Sequence, residues 1–133
     1  MLVKPMREEL TNIGVTELLN SEDVETALSA PEDTTFVVVN SVCGCAAGCA
    51  RPAVAKALKH SKLPTKFVTV FAGQDKEATE KARTYFTGYP ASSPCFALMR
   101  GKTILEMIPR QEIEGYSADE ISQKITTAFD SHL

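Results

Sequence analysis

The stretch Thr34–Pro52, TTFVVVNSVCGCAAGCARP, decides the fold because it joins a strand to a helix through a cluster of thiols. Its opening segment, Thr34–Asn40, is β-branched or apolar almost throughout, which is typical of a strand buried on both faces of a sheet. The residues after the thiols have the apolar periodicity of a helix. The cysteines of this cluster are Cys43, Cys45 and Cys49.

The chain downstream of this stretch continues the strand and helix pattern. Lys66–Ala72 has the composition of a second buried strand, and residues 75–86 follow with helical periodicity. Strand, helix and strand in this order predict a parallel, right-handed βαβ unit. The strand-like runs 95–100 and 102–109 are separated by Gly101 alone, which predicts a tight antiparallel hairpin.

The two ends of the chain are predicted to be helical. Met6 and Leu10 recur at helical spacing before Gly14, and a second helix is expected to begin near Ser21 with that hydroxyl as its cap. A final helix begins at residues 117–120, SADE, which form a capping box. Together these elements predict a single α/β domain over residues 1–133. Its fold is thioredoxin-like: a central mixed sheet, βαβ then ββα, flanked by helices and preceded by an N-terminal helical extension.

Composition excludes several classes of function. The formal charge of −3 leaves no basic footprint for nucleic acid. No apolar run approaches the roughly 20 residues that cross a bilayer, and the N-terminus has no secretory h-region. We therefore expect a cytoplasmic protein without nucleic-acid or membrane partners. In a reducing cytoplasm, clustered cysteines are more often catalytic or metal-binding than structural.

The chemistry of the cluster depends on its position before a helix. The positive end of a helix favours thiolate over thiol, and thiolate is the nucleophile, so Cys43 is the first candidate. Cys45 lies two residues on, and Gly44 supplies the backbone freedom that a Cys43–Cys45 disulfide needs. The ring of such a disulfide is expected to be strained, which raises its reduction potential.

A second candidate element is the sequence SSPC at residues 92–95. Its place before a strand of the hairpin matches the cis-proline loop of a thioredoxin-like fold, so we expect a cis Ser93–Pro94 bond. Ser93 then offers backbone groups to a client chain beside Cys43. Cys95 is either a reserve thiol or a packing residue at the start of the strand.

Other polar and thiol side chains have less specific expectations. Cys49 is expected to pack towards the core as a small hydrophobe, although a second resolving role stays open. Arg51 either favours a nearby anion or faces solvent, and solvent is the preferred interpretation. His60 and His132 are far along the chain from the thiols and are expected to be solvated.

A metal site is the competing class of function. Thiolates of Cys43, Cys45, Cys49 and Cys95 are soft ligands suited to zinc, copper(I) or an iron–sulfur cluster. The spacing C-x-C-x₃-C lacks the paired C-x₂-C knuckles of a structural zinc site, and no histidine supplements it. Redox chemistry without a bound metal or cofactor is therefore the leading hypothesis.

The chain closely resembles the bacilliredoxin family, small thioredoxin-like proteins with a CGC active site. The resemblance is carried by VVVNSVCGCAAG, ARP, TVFAGQDKEAT, SSP, IPR and EIEG. It implies reduction of mixed disulfides between client proteins and the small thiol bacillithiol, and a weak disulfide isomerase activity is also associated with the family. Cys43 would attack the bacillithiol sulfur and Cys45 would resolve the adduct, with Ser93 and Pro94 in the cis-proline loop.

The sequence departs from the family pattern at four places. Cys49 replaces a small or apolar residue, Cys95 replaces a serine, and Gln111 replaces a frequent histidine. A cysteine found near the C-terminus of some members is absent, since the chain ends DSHL. The extra thiols leave it open whether Cys45 is the only resolving residue, and bacillithiol or a similar small thiol is the expected co-substrate.

Overall fold

Five strands form one mixed sheet in the order β1-β3-β2-β4-β5. The structure is a computed structural model that describes residues 3–42 and 46–133. The strands are β1 Thr16–Glu17, β2 Thr34–Asn40, β3 Lys66–Phe71, β4 Cys95–Arg100 and β5 Thr103–Ile108. The helices are α1 Val3–Thr11, α2 Ser21–Ala27, α3 Arg51–Ala57, α4 Lys76–Arg83 and α5 Ala118–His132. A π-helical turn, Ala46–Ala50, precedes α3, and a 3₁₀ turn, Arg110–Glu112, follows β5.

The central strand β2 confirms the interpretation of Thr34–Asn40 as a buried strand, since each of its residues is buried. β2 pairs in parallel with β3 and antiparallel with β4. The β4–β5 hairpin is antiparallel, with Gly101 and Lys102 between the strands rather than Gly101 alone. The predicted βαβ and ββα halves therefore join through the antiparallel pairing of β2 with β4.

Alternation along β2 divides the hydrophobic core between the two faces of the sheet. Phe36 and Val38 belong to one cluster, which packs against α1, α3 and α5. Val37 and Val39 belong to the other, which packs against α2 and α4. This division is the reason why β2 needs apolar residues at successive positions.

The largest side chains of the core meet on the first of these faces. The Phe36 ring centroid lies 5.4 Å from that of Phe96 and 5.3 Å from that of Phe129. The Phe67 ring adds an edge contact at 5.7 Å from Phe36. Edge and tilted arrangements at these separations are favourable for aromatic pairs. The cluster joins three strands to the final helix.

Of the two helix caps predicted from the sequence, one is confirmed and the other is wrong by one residue. Ser117 and Glu120 form the predicted capping box of α5. The cap of α2 is Asn20, whose side-chain oxygen accepts from the Asp23 amide at 2.9 Å, and not Ser21. The Ser21 hydroxyl instead donates to Glu77 at 2.7 Å, because α4 lies beside the start of α2.

Both histidines lie within hydrogen-bond distance of a carboxylate, which corrects the expectation that they are simply solvated. His60 lies 2.8 Å from Asp130, and His132 lies 3.0 Å from Glu106. Their side chains are 26% and 30% exposed, so each is partly buried. Within residues 3–42 and 46–133, no helix is both long enough and apolar enough to cross a membrane.

Candidate functional site

The central segment of the candidate site, Cys43–Cys45 including Gly44, lies outside the described residues. The structure describes what holds each end of this segment. On one side, β2 ends at Asn40 in the middle of the sheet. On the other side, the chain enters the π-helical turn at Ala46 and continues into α3. The strand-to-helix junction predicted from the sequence is therefore present around the thiol segment.

The Ser93–Pro94 loop lies beside this junction. Its peptide bond is cis, as the sequence indicates. β4 begins at the next residue, Cys95, which is paired in register with Val39 of β2. The loop therefore borders the end of the strand that leads into Cys43.

Two arginines that the sequence analysis did not identify hold the backbone of this loop. Arg83, in the last turn of α4, donates to the Ser92 carbonyl at 3.1 Å. Arg110 donates through its side chain to the Ser93 carbonyl at 3.2 Å. Each arginine comes from a different element, so the loop is fixed by tertiary contacts that no local sequence motif encodes.

Cys95 is a packing residue at the start of β4. It is 2% exposed and belongs to the cluster on the α2 and α4 face. Burial raises the pKa of the Cys95 thiol to about 11, against smaller opposing effects of the Ser92 hydrogen bond and the Arg83 charge. Because the thiolate is the reactive form, this environment disfavours the reserve-thiol interpretation.

Cys49 lies on the opposite face of the sheet from Cys95. It is partly buried and packs against the cluster between β2, α3 and α5, as its expected role as a small hydrophobe requires. A metal site that used both thiols would need ligands from both faces of the sheet. In the part of the chain that the structure describes, no group of three or more His, Cys, Asp or Glu side chains could hold a metal ion.

Arg51 is buried and paired, which overturns the preference for a solvent-facing side chain. It is 3% exposed. Its Nη1 donates to Asn40 Oδ1 at 2.9 Å and to the Ser41 carbonyl at 3.0 Å, and its Nε contacts the Glu9 carboxylate. The buried cation therefore lies at the strand end that leads into the thiol segment.

A cavity of about 480 Å³ adjoins the cis-proline loop. It lies between the segment before the loop and the turn after β5, and its lining includes Tyr89, Ser92, Pro109 and Gln111. A larger cavity of about 680 Å³ lies at the far edge of the sheet, between α2 and the β1–β3 pair. That second cavity is lined by neither a cysteine nor the cis-proline loop.

Solved structures with the same architecture include thioredoxins. Mitochondrial thioredoxin 3 from Saccharomyces cerevisiae, in its oxidized form, superposes with a TM-score of 0.62 at 14% identity, covering 92% of this chain and 98% of that chain. Thioredoxin f2 from Chlamydomonas reinhardtii gives a TM-score of 0.61 at 18% identity, covering 90% and 96%. These similarities confirm the thioredoxin-like fold.

Sequence relatives extend over nearly the whole chain. A bacilliredoxin of Bacillus licheniformis is 57% identical over 98% of this chain and 92% of its own length. A bacilliredoxin of Geobacillus kaustophilus is 55% identical over 98% and 91%, and one of Koribacter versatilis is 49% identical over 99% and 91%. A family model described as "Disulphide isomerase" matches residues 1–133.

The fold and these relatives define the class, which is that of thiol–disulfide oxidoreductases with a thioredoxin-like domain. Within that class, the chain belongs to the bacilliredoxin family. The resemblance stated from the CGC block and its flanking motifs is thereby confirmed.

Proposed function

We propose that this oxidoreductase removes a small-thiol cap, bacillithiol or a closely similar molecule, from S-thiolated client proteins. The observation that carries the proposal is a buried strand that runs into a CGC sequence and pairs at its end with the residue after a cis-proline, in a chain whose relatives are bacilliredoxins. A cytoplasmic location belongs to the same proposal, since the reaction needs free thiols.

The reaction proceeds in two balanced exchanges. The Cys43 thiolate attacks the small-thiol sulfur of the mixed disulfide, so that a Cys43–small-thiol disulfide forms and the client leaves as a thiolate. The Cys45 thiolate then attacks the Cys43 sulfur, which closes the Cys43–Cys45 disulfide and releases the small thiol. The protein loses two electrons and the client disulfide gains them. An external thiol reductant must reopen the pair before another cycle.

The surroundings of the cis-proline loop are suited to a small thiol. A cavity of about 480 Å³ falls in the range of about 300–1,000 Å³ typical of small-molecule sites. The Arg83 and Arg110 contacts keep the Ser92 and Ser93 carbonyls in fixed positions. A fixed loop at the end of the strand that leads into Cys43 is suited to orienting a bound disulfide for in-line attack.

A single-turnover assay tests the proposal. Reduced protein is mixed with a client that carries bacillithiol, glutathione or coenzyme A as a mixed disulfide, and the released small thiol is quantified after fluorescent labelling. We expect about one equivalent released from the bacillithiol adduct, slower release from the other two, and none with Cys43→Ser. Equal rates for the three adducts would contradict selectivity for bacillithiol.

The metal alternative is separated by a second measurement. Protein purified under reducing conditions is analysed for zinc, copper and iron by mass spectrometry. The oxidoreductase proposal expects substoichiometric metal together with thiol release. One equivalent of metal and no release would support a metal carrier instead.

A further inference from the structure

The charge of Arg51 is buried where the chain enters the thiol segment. A buried cation is costly unless it is paired and fully hydrogen-bonded. The guanidinium is paired with the Glu9 carboxylate through Nε, and its Nη1 donates to Asn40 Oδ1 and the Ser41 carbonyl. These partners lie on two separate parts of the chain, α1 and the end of β2, which makes the site a built feature of the fold.

The same network connects the N-terminal helix to the end of the central strand. Asn40 Oδ1 also accepts from the Ser41 amide at 2.9 Å, and Asn40 Nδ2 donates to the Met6 carbonyl at 3.3 Å. Glu9 lies one turn further along α1 and contacts Arg51. The N-terminal extension therefore supplies both a backbone acceptor and a counter-charge to the segment that leads into Cys43.

We propose that Arg51 is a positioning residue of the thiol site, which fixes the Ser41 carbonyl and favours the Cys43 thiolate by its charge, and that Glu9 moderates this charge. The inference rests on the proposed role of Cys43 as the attacking thiol. It adds that the N-terminal helix tunes the reactivity of that thiol through an ion pair.

Chain connectivity places the charge within electrostatic range of the thiol. Cys43 is two residues after Ser41, so its Cα lies at most about 7 Å from the Ser41 Cα. Arg51 Nη1 lies 3.0 Å from the Ser41 carbonyl oxygen. Covalent geometry therefore keeps the Cys43 sulfur within about 15 Å of the charge. At that distance and an effective dielectric constant of about 20, a unit charge shifts the pKa of a thiol by about one unit.

Other charged groups near this edge of the sheet are engaged with partners of their own. Arg7 of α1 contacts Asp75 at 2.6 and 3.0 Å, just after β3. On the loop side, Arg83 donates to Ser92, and Arg110 bridges Ser93 and Glu114. Among the described residues, Arg51 is therefore the charged side chain that donates hydrogen bonds to the strand end before Cys43, and Glu9 is its counter-charge.

The geometry of the contacts explains why an arginine stands at this position. Arg51 makes bonds in two directions from a planar group, to the strand end through Nη1 and to α1 through Nε. A lysine ammonium would keep the charge but could not hold both directions in the same fork. The charge and the positioning can therefore be separated by substitution.

The experiment measures the pKa of Cys43 from the pH dependence of its alkylation, read by mass spectrometry in a Cys45→Ala background that removes coupled titration. Arg51→Met is expected to raise the pKa of Cys43 by about one unit, and Glu9→Gln to lower it by about half a unit. Arg51→Lys is expected to preserve the pKa in this background and, in the protein that keeps Cys45, to slow single-turnover thiol release about tenfold.

A charge effect shifts the pKa of Cys43 in opposite directions in Arg51→Met and Glu9→Gln. Loosening of the structure would shift it in the same direction in both variants. Shifts of the same sign, or no shift with Glu9→Gln, would overturn the proposal. The Glu9 carboxylate is half exposed, so this variant is expected to fold even where Arg51→Met does not. The pKa readout of the Arg51→Met and Glu9→Gln variants needs neither client nor small thiol, so its failure is distinct from failure of the proposed function.

Discussion

Cys95 offers a quantitative test of how burial controls thiol reactivity in this fold. With a pKa of about 11, the Cys95 thiol is ionised to about one part in 1,000 at pH 8, whereas an unperturbed thiol is ionised to about a quarter. The thiolate of higher pKa is intrinsically more nucleophilic by about tenfold, given a Brønsted coefficient of about 0.45. Ionisation alone therefore slows alkylation of Cys95 about 20-fold, and its 2% exposure slows it further.

The assay compares iodoacetamide labelling at pH 8 in the folded protein and in urea, with peptide mass spectrometry to resolve each cysteine. We expect Cys95 to be protected at least 20-fold by folding, and the partly exposed Cys49 to be protected less. Cys95→Ala is also expected to leave thiol release close to that of the wild type. Labelling of Cys95 in the folded protein within threefold of its rate in urea would refute this reasoning.

Three further predictions concern the scaffold. Phe36→Ala removes the centre of the aromatic cluster and is expected to lower the free energy of unfolding by about 3–5 kcal/mol, measured by urea titration. A loss below about 1 kcal/mol would contradict the packing described. Gly101→Ala places a Cβ 2.8 Å from the Pro31 Cα at a φ of 55°. Gly115 also has a positive φ, 87°, but its Cβ would enter open space. The Gly101→Ala variant should therefore have a lower melting temperature than the Gly115→Ala variant. The pKa of Glu25 is held at about 2, below its usual 4.5, by hydrogen bonds from Lys102, Tyr85 and Lys81. The stability advantage of the wild type over Glu25→Gln is therefore expected above pH 4.5 and should shrink as the pH falls towards 2. An advantage that does not change with pH would refute this.

The central elements of the fold were predictable because their patterns are local. A continuous β-branched run identified β2, and the SADE sequence identified the start of α5. The two-residue strand β1 was missed because its place in the sheet comes from pairing with Val68 and Thr69, far along the chain. The α2 cap was placed one residue late, because Asn20 and Ser21 are both good capping residues and only the contact with Glu77 separates them.

In the candidate site, too, local features could be predicted from the sequence and tertiary contacts could not. The cis Ser93–Pro94 bond follows from a proline at a recognisable point of the topology. The burial of Arg51 depends on Glu9 and Asn40, which lie in two other elements, so the helical position of Arg51 alone gave no signal for it. The same holds for Arg83 and Arg110, whose acceptors are backbone carbonyls of a distant loop. Every residue has a backbone carbonyl, so the sequence does not indicate which carbonyl will accept a hydrogen bond from a given arginine.

The most direct test of the account traps the first intermediate of the reaction. Cys45→Ala is mixed with a client that carries a bacillithiol mixed disulfide, and the intact mass of the protein is recorded, with Cys43→Ala as the control. The account predicts a persistent bacillithiol adduct on Cys45→Ala and none on Cys43→Ala. An adduct that clears from Cys45→Ala as fast as from the wild type would mean that another thiol resolves it, and would contradict the assignment of Cys45.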